Sequence, residues 1–488
     1  MKDDVIRSPL AILKQYAEEI GDDHSLAEYE AWWRSEGVQI SEATDSAGTP
    51  WLRMFDRKGE RSDEILFAPD YWRMLKRGYA EGVLWRAFEQ DSLLPAYRLL
   101  YLVSFFDPGL ACPYTVSLST AVPLAKYGEA NLRNRFLPNM LRRNDAWQGA
   151  TWMTEIKGGS DLGAAVETVA RPHKNAWLLT GNKYFASNAG AELAVVAAHV
   201  EGEPRNLRGL ALFLVPRDRD NGERNYFVRR LKNKIATRSV PTGEIELRDS
   251  EAYLLGTKEL GIYLILEVLN LSRVANSMGS VALAQRAIAD AVAYSESRVA
   301  FGKPIGELPL LRQQIEERIS GLHAAAALAW EAARLLNKVW KERPPYSERY
   351  HLFRLLAHLA KYWTAEFAVQ TAKWNMEVHG GLGTLQEFGA ERWLREAMIL
   401  AIWEGTSHRQ MLDGLEVMER KQSHRPLLEY LAPMETASAI ERMRARIEQI
   451  LALPSLERQA GAEALFRELA TFTAEALARN HRPAAVCS

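Results

Sequence analysis

Cysteine is nearly absent from this sequence: Cys112 and Cys487 are the two in 488 residues. Two cannot form a disulfide framework, and neither has the C-x-x-C partner of a zinc site. Net charge is missing too. Lys and Arg number 61 against 62 Asp and Glu, a formal charge of −1, so the chain as a whole has no attraction to nucleic acid or an anionic membrane. No run approaches the ~18 uninterrupted apolar residues of a membrane span. The opening Met1-Lys2-Asp3-Asp4-Val5-Ile6-Arg7 carries acids where a signal or transit peptide would have its apolar core. A cytoplasmic, reducing location is expected. His323, His351 and His358 are scattered on helical stretches, and Glu348 three residues before His351 is one pair without further ligands, so no metal is expected.

What the chain does contain is an ordinary globular composition, 47% hydrophobic and 25% charged over a length that suits two to four domains. Residues 1–149 read as a helical domain. From Pro69 to Phe88 apolar residues recur at helical steps, as they do from Val122 to Leu141, and Asp56-Arg57-Lys58-Gly59 reads as a turn between helical stretches. The texture changes near Trp147. Residues 150–255 hold short β-rich runs, Ala176–Thr180, Leu193–Ala197 and Leu210–Val215, and Gly243–Leu247 alternates with period two. A middle β-domain, sandwich or barrel, is expected.

Helical texture returns for residues 256–420, with long apolar-periodic stretches at Leu260–Glu296, Leu310–Trp340 and Glu348–Val378. A fourth, Met398–Met418, is broken at Gly405. This predicts an antiparallel four-helix bundle, followed by a helical extension over 421–488. The fold class is therefore α+β, in the order α, β, α.

Three segments depart from their surroundings. Met153-Thr154-Glu155-Ile156-Lys157-Gly158-Gly159-Ser160-Asp161 opens the β-region; its paired glycines could nest phosphate oxygens or could simply form a polar turn. The glycine spacing is neither that of a Rossmann fingerprint nor that of a P-loop. Gly380-Gly381-Leu382-Gly383 follows a long helix, where one glycine would serve as a cap and three exceed that need. Trp403-Glu404-Gly405-Thr406-Ser407-His408 places an acid after Ile399, Leu400 and Ile402 and before a helix-breaking glycine. Such an acid is either an ordinary exposed Glu beside a kink or a partly buried carboxylate with a raised pKa, usable as a base.

Taken together, these segments resemble the acyl-CoA dehydrogenase family. Its Thr-Glu-x-x-x-Gly-Ser-Asp segment matches Thr154 to Asp161, and its Gly-x-Lys-aromatic strand matches Gly181-Asn182-Lys183-Tyr184-Phe185-Ala186-Ser187-Asn188. Its Arg-x-x-Phe-Gly-Lys matches Arg298 to Lys303, and the Gly-Gly-x-Gly and Glu-Gly-Thr segments complete the set. Within the family the chain is similar to the AidB-like, adaptive-response branch. Cys112-Pro113 ahead of Ser117–Thr120, Leu231-Lys232-Asn233-Lys234 and the extension after residue 420 carry that likeness.

The resemblance implies FAD as cofactor and an acyl-CoA as substrate, with Glu404 as the catalytic base. It implies flavin contacts from Met153, Thr154, Gly159, Ser160, Phe185 and Ser187. Arg298, Phe301, Gly380 and Gly381 would reach FAD across a subunit interface of a homotetramer built as a dimer of dimers. Trp403, Thr406 and His408 would lie beside it. Thr154, Ser160, Ser187 and Arg273 would face substrate. Some relatives carry their base in the helix that here holds Leu271-Ser272-Arg273, and Ser272 is no base. Electron-transfer flavoprotein or oxygen would take the electrons.

Departures fall on details of the site. A flavin-facing Trp is Phe185 here, and Gln positions of the family are Pro309, Glu377 and His408. The alternative reading is a DNA-binding flavoprotein with weak dehydrogenase activity. From residue 421 onward nine basic residues face eight acids, with Arg442, Arg444 and Arg446 the one local cluster, which is not the basic excess DNA binding calls for.

Overall fold

A computed structural model describes residues 6–17 and 23–480; Cys487 and the opening residues Met1 to Val5 lie outside the described part. The chain forms two compact units, Glu28–Ser272 on the one hand and Met1–Ala27 with Arg273–Ser488 on the other.

The unit Glu28–Ser272 starts with helices. Tyr71–Glu81 keeps Tyr71, Met74, Leu75, Gly78 and Tyr79 on its buried side, the i, i+3, i+4 stripe read from the sequence. Two expectations are corrected here. The Asp56–Gly59 turn joins two strands, not helices: β1 (Trp51–Phe55) pairs antiparallel with β2 (Arg61–Leu66). The pair escaped notice because Trp51 and Phe55 point outward and are exposed, so no buried alternation marks it. The stretch Val122–Leu141 is two helices, Ala111–Tyr127 and Ala130–Met140, parted where Gly128 leaves helical geometry.

The middle region closes into a β-barrel. Strands β4 (Val169–His173), β5 (Ala176–Ser187), β9 (Thr242–Leu254), β7 (Leu210–Pro216) and β6 (Leu193–Val200) form a ring, because β6 pairs with both β4 and β7. β3 (Gly149–Trp152) adds in parallel to β6, and β8 (Phe227–Leu231) pairs with β9. Closure removes the open edges that a small sheet would otherwise expose. β6 and β7 are buried along their whole length, which explains their unbroken apolar runs. β9 alternates instead, with Ile245 and Leu247 inward and Glu244 and Glu246 outward. Val196, Phe213 and Ile245 sit in one core. Each such side chain contributes about 1.5–3 kcal/mol, so a charge at Val196 would break the barrel.

The second unit is helical. Gly261–Ser297, of which Arg273 onward belongs here, is followed by Pro309–Val339, Glu348–His379, Ala390–Ile402 and Ser407–Lys421. Pro309 starts its helix at the first turn, where a missing N–H costs nothing. Ser347 and Thr406 cap theirs through side-chain oxygens. Ala284, Ala287, Ala365, Ala368, Ala372 and Ala397 share one core, small enough for helix backbones to approach closely.

The extension is integral to this unit. Its last helix, Ala462–Asn480, packs on Pro309–Val339, Glu348–His379 and Ser407–Lys421. The Phe466 ring lies so close to Gly414 that a Cβ there would fall 2.3 Å from it, and Trp363 Nε1 donates to Thr471 Oγ1 at 3.1 Å. Among the described residues no helix is long and apolar enough to cross a membrane.

Candidate active site

The helical unit breaks where the sequence placed the acid. Ala390–Ile402 ends as Trp403 turns extended (ψ 167°). Glu404 and Gly405 then adopt left-handed backbone, φ +57° and +96°, before Thr406 caps the next helix. Glycine takes that conformation freely, whereas for a glutamate it costs about 1–2 kcal/mol. The surroundings hold the strained residue through its backbone. The Glu404 carbonyl accepts from Arg273 Nε at 3.2 Å and Gln410 Nε2 at 3.0 Å. The Gly405 carbonyl accepts from Lys361 Nζ at 2.7 Å and again from Gln410 Nε2 at 2.9 Å. Upstream, the Leu400 carbonyl accepts from Asn276 Nδ2 at 3.0 Å. Gln410 is itself fixed by His358, whose Nδ1 lies 2.9 Å from its Oε1.

The Glu404 side chain receives none of this help. No described residue hydrogen-bonds to its carboxylate, and burial pushes its pKa up to about 7 although the Arg273 and Lys361 charges pull it down. Lys361 is fully buried and shifted the other way, to about 7, by burial opposed by Glu404. Burial and the Arg273 charge hold His358 neutral, at about 3. Arg273 is spoken for: Nη2 lies 3.3 Å from Asp413, which also binds Arg409. An acid that titrates near neutrality and has no fixed partner is suited to exchanging a proton with a ligand.

Sequence reasoning passed over Lys361, Gln410 and Asp413. Of these, Lys361 gave a signal, since Leu359-Ala360 precede it and Tyr362-Trp363 follow it, and a lysine within apolar sequence is seldom buried without a task. At the alternative base position, in the other unit, Ser272 is buried with Oγ 3.1 Å from Ser119 Oγ.

The glycine-rich segment of the barrel unit divides in two. Glu155 is a structural anchor. Its carboxylate accepts from Lys183 Nζ at 2.6 Å, Thr168 Oγ1 at 2.6 Å, and the N–H groups of Glu167 and Thr168. Burial alone would raise its pKa, but the Lys183 charge and these donors hold it below the ordinary range. Gly159 is needed by the turn itself, because a Cβ would meet Thr154 Oγ1 at 2.5 Å. Gly158 (φ +116°) faces open space, and Ser160 is exposed. On β5 the Phe185 ring is 55% exposed, with Lys232 Nζ over it at 4.9 Å and over Tyr184 at 3.2 Å. Met153 is buried, and Ser187 Oγ lies 3.4 Å from Thr242 Oγ1.

In the helical unit, Arg298 is exposed beside a short hairpin whose tip carries Phe301, 91% exposed. Gly380 (φ +62°) caps its helix, and neither it nor Gly381 has an atom within 4 Å of a Cβ position. Gly383 does, against the Met376 carbonyl at 2.5 Å. So one glycine of the three is dictated by packing and two leave backbone open to a ligand. Thr406 caps its helix, His408 is exposed, and the Trp403 Nε1 is buried without a partner. Within the helical unit, the exposed Phe301 ring, the uncovered Gly380 and Gly381 backbone and the orphaned Trp403 indole N–H are groups that a dinucleotide with a flat ring system could use. In the extension, Arg444, Arg446, Arg458, Arg467 and Arg479 each pair with a carboxylate. Among the described residues no group of acids, histidines and cysteines could hold a metal.

The order along the chain, helices, then a β-barrel, then more helices, is that of one known family. The chain belongs to the acyl-CoA dehydrogenase family, whose members are FAD-dependent: residues 150–250 match its middle domain and 259–419 its C-terminal domain. Residues 3–145 match the N-terminal domain of the adaptive response protein AidB. Among curated proteins it is similar to acyl-CoA dehydrogenase family member 11 of Caenorhabditis elegans, 31% identical over 77% of this chain and 63% of that one. It is also similar to the putative acyl-CoA dehydrogenase AidB of Escherichia coli K12, 28% identical over 76% of this chain and 70% of that one. The crystal structure of C. elegans ACDH-11 in complex with C11-CoA superposes with a TM-score of 0.85 at 25% identity, over 99% of this chain and 86% of that one. The chain thus spans less than two thirds of the C. elegans family member 11.

Proposed function

We propose that the protein is a cytoplasmic FAD-dependent acyl-CoA dehydrogenase in which Glu404 removes the α proton of an acyl thioester. The observation that carries this reading is the Glu404 carboxyl, held by its backbone, free of hydrogen bonds and titrating near neutrality. A base must be partly ionised at the working pH yet basic enough to take a proton, and a pKa near 7 meets both demands. FAD, when bound, supplies the acceptor for the β hydride. Phe185, Met153 and Ser187 of the barrel would hold its ring system, and Ser160, Thr154 and Gly159 would meet its polar groups or the thioester. Arg298, Phe301, Gly380 and Gly381 would bind FAD from a second copy of the chain, which makes a homotetramer the working assembly. Trp403, Thr406 and His408 complete the set.

Arg273 takes a different part in this reading. Its guanidinium is committed to the Glu404 carbonyl and Asp413, so it orients the base and does not bind the acyl chain. An 11-carbon or similar acyl group is a reasonable substrate, since the ACDH-11 structure holds C11-CoA. Electron-transfer flavoprotein or oxygen would reoxidise the flavin. The paired arginines of the extension do not favour a nucleic-acid role.

The test is anaerobic mixing of the FAD-loaded protein with C11-CoA and with shorter and longer straight-chain acyl-CoAs. Loss of the oxidised-flavin absorbance is expected with at least one. A protein that takes up no FAD, or whose flavin stays yellow with every thioester, overturns the proposal.

A further inference from the structure

Around Glu404 two cations are buried, and they are not equivalent. Arg273 is neutralised by Asp413, which Arg409 also reaches. Lys361 makes no ion pair among the described residues; its one hydrogen bond runs to the Gly405 carbonyl, 2.7 Å away. Glu366, one turn along the same helix and a candidate partner, is occupied by Ser407 Oγ at 2.6 Å. A buried ammonium without a carboxylate is costly, so its retention calls for an explanation that stability does not supply.

We propose that Lys361 is the positioning residue of the base: its ammonium holds the Gly405 carbonyl, locking the left-handed turn that projects Glu404, and its unneutralised charge favours the ionised carboxylate. The inference rests on Glu404 being the base. Two consequences of one side chain are separable. The hydrogen bond fixes geometry, while the charge sets how much of the carboxyl is ionised at a given pH. The other charged groups facing this locus are Arg273 from its own helix, Arg354 and Glu366 beside Lys361, and Arg409 with Asp413 from the following helix. His358 is neutral and adds no charge. Arg354 bears on Arg273 and His358 rather than on Glu404, so Lys361 is the cation whose removal changes the Glu404 environment without unpairing Asp413.

The experiment uses the FAD-loaded protein and the variants K361M, K361Q and K361R. Met matches the shape of Lys in an apolar site, and an uncharged replacement of a buried ion is commonly tolerated; Gln is the second neutral choice should Met fold poorly. Two readouts are taken. The first is the pH profile of flavin reduction by C11-CoA. The second is the infrared band of the protonated Glu404 carboxyl, isolated by subtracting E404Q and titrated without substrate. In K361M and K361Q the carboxyl midpoint should move up by about one pH unit or more, and flavin reduction at neutral pH should fall roughly fivefold or more as the acid limb shifts. K361R, which keeps the charge, should hold the midpoint.

A carboxyl midpoint unchanged in both neutral variants overturns the proposal. If the wild-type flavin is never bleached, the dehydrogenase reading fails, while the infrared midpoint still decides the role of Lys361.

Discussion

Two glutamates, Glu155 buried and Glu404 half-buried, each have a buried lysine nearby, and they end in opposite states. In the barrel, Glu155 and Lys183 touch, and Thr168 and two backbone N–H groups satisfy the remaining lone pairs. Its pKa falls below the ordinary range. In the helical unit, Lys361 donates to a backbone carbonyl instead, and the Glu404 carboxyl is left without donors; its pKa rises to about 7. Each place sets a glutamate near a buried lysine, and Glu404 has the Arg273 charge besides. What differs is where the hydrogen bonds are sent: to the carboxylate, which makes a rivet, or to the peptide behind it, which leaves a carboxyl able to react.

The contrast can be broken most severely at Glu404. E404Q should slow flavin reduction by C11-CoA by about 10²–10⁴-fold, while its thermal midpoint at neutral pH stays level or rises, since no native hydrogen bond of the carboxylate is lost. A fall in stability comparable to that of a core mutation would show that the two glutamates do the same job. E155A should do the reverse. It strands Lys183 and should destabilise the barrel by about 3–5 kcal/mol, read as an earlier urea midpoint; an unshifted midpoint would mean that the anchor is dispensable.

Acid titration sharpens the comparison further. The folded-state pKa of His358, about 3, lies below its ordinary 6.5. The unfolded chain therefore binds the proton more readily, and His358 contributes stability that is present above 6.5 and lost as pH falls toward 3. Glu404 has the opposite sign. Its folded value exceeds the ordinary 4.5, so stability declines as pH rises from about 4.5 to about 7 and is level beyond. Melting temperatures across this window should lose the first slope in H358Q and the second in E404Q. Parallel curves for H358Q and wild type would disprove the assignment of His358. The smallest effect expected is that of G414A, where a Cβ presses on the Phe466 ring and costs about 1–3 kcal/mol by overpacking.

Much of this was legible beforehand. The three long helices after residue 256 announced themselves by periodicity, and Gly405 announced the break inside the fourth stretch, which forms two helices, Ala390–Ile402 and Ser407–Lys421, because a stripe of apolar residues and a helix breaker are local signals. The barrel strands were visible for the same reason, but their closure was not, since the pairing of β6 with both β4 and β7 is a property of distant residues. The hairpin Trp51–Leu66 was missed because its two aromatic residues, Trp51 and Phe55, are exposed. Glu404 could be found as an acid before a glycine. Its helpers could not, because Arg273, Lys361 and Gln410 reach the turn from three different helices, and nothing in their own neighbourhoods says which carbonyl they will meet. Cys112 proved buried.

The contact between Phe466 and Gly414 has a bearing on how this chain can be shortened. Gly414 sits one turn beyond Gln410, and Trp363, held by Thr471, is two residues from Lys361. A fragment ending at Lys421 would bare one surface of the very helices that supply Lys361 and Gln410 to the Glu404 turn. The terminal helices are therefore part of the packing of this unit, and excising them would uncover Gly414 and Trp363.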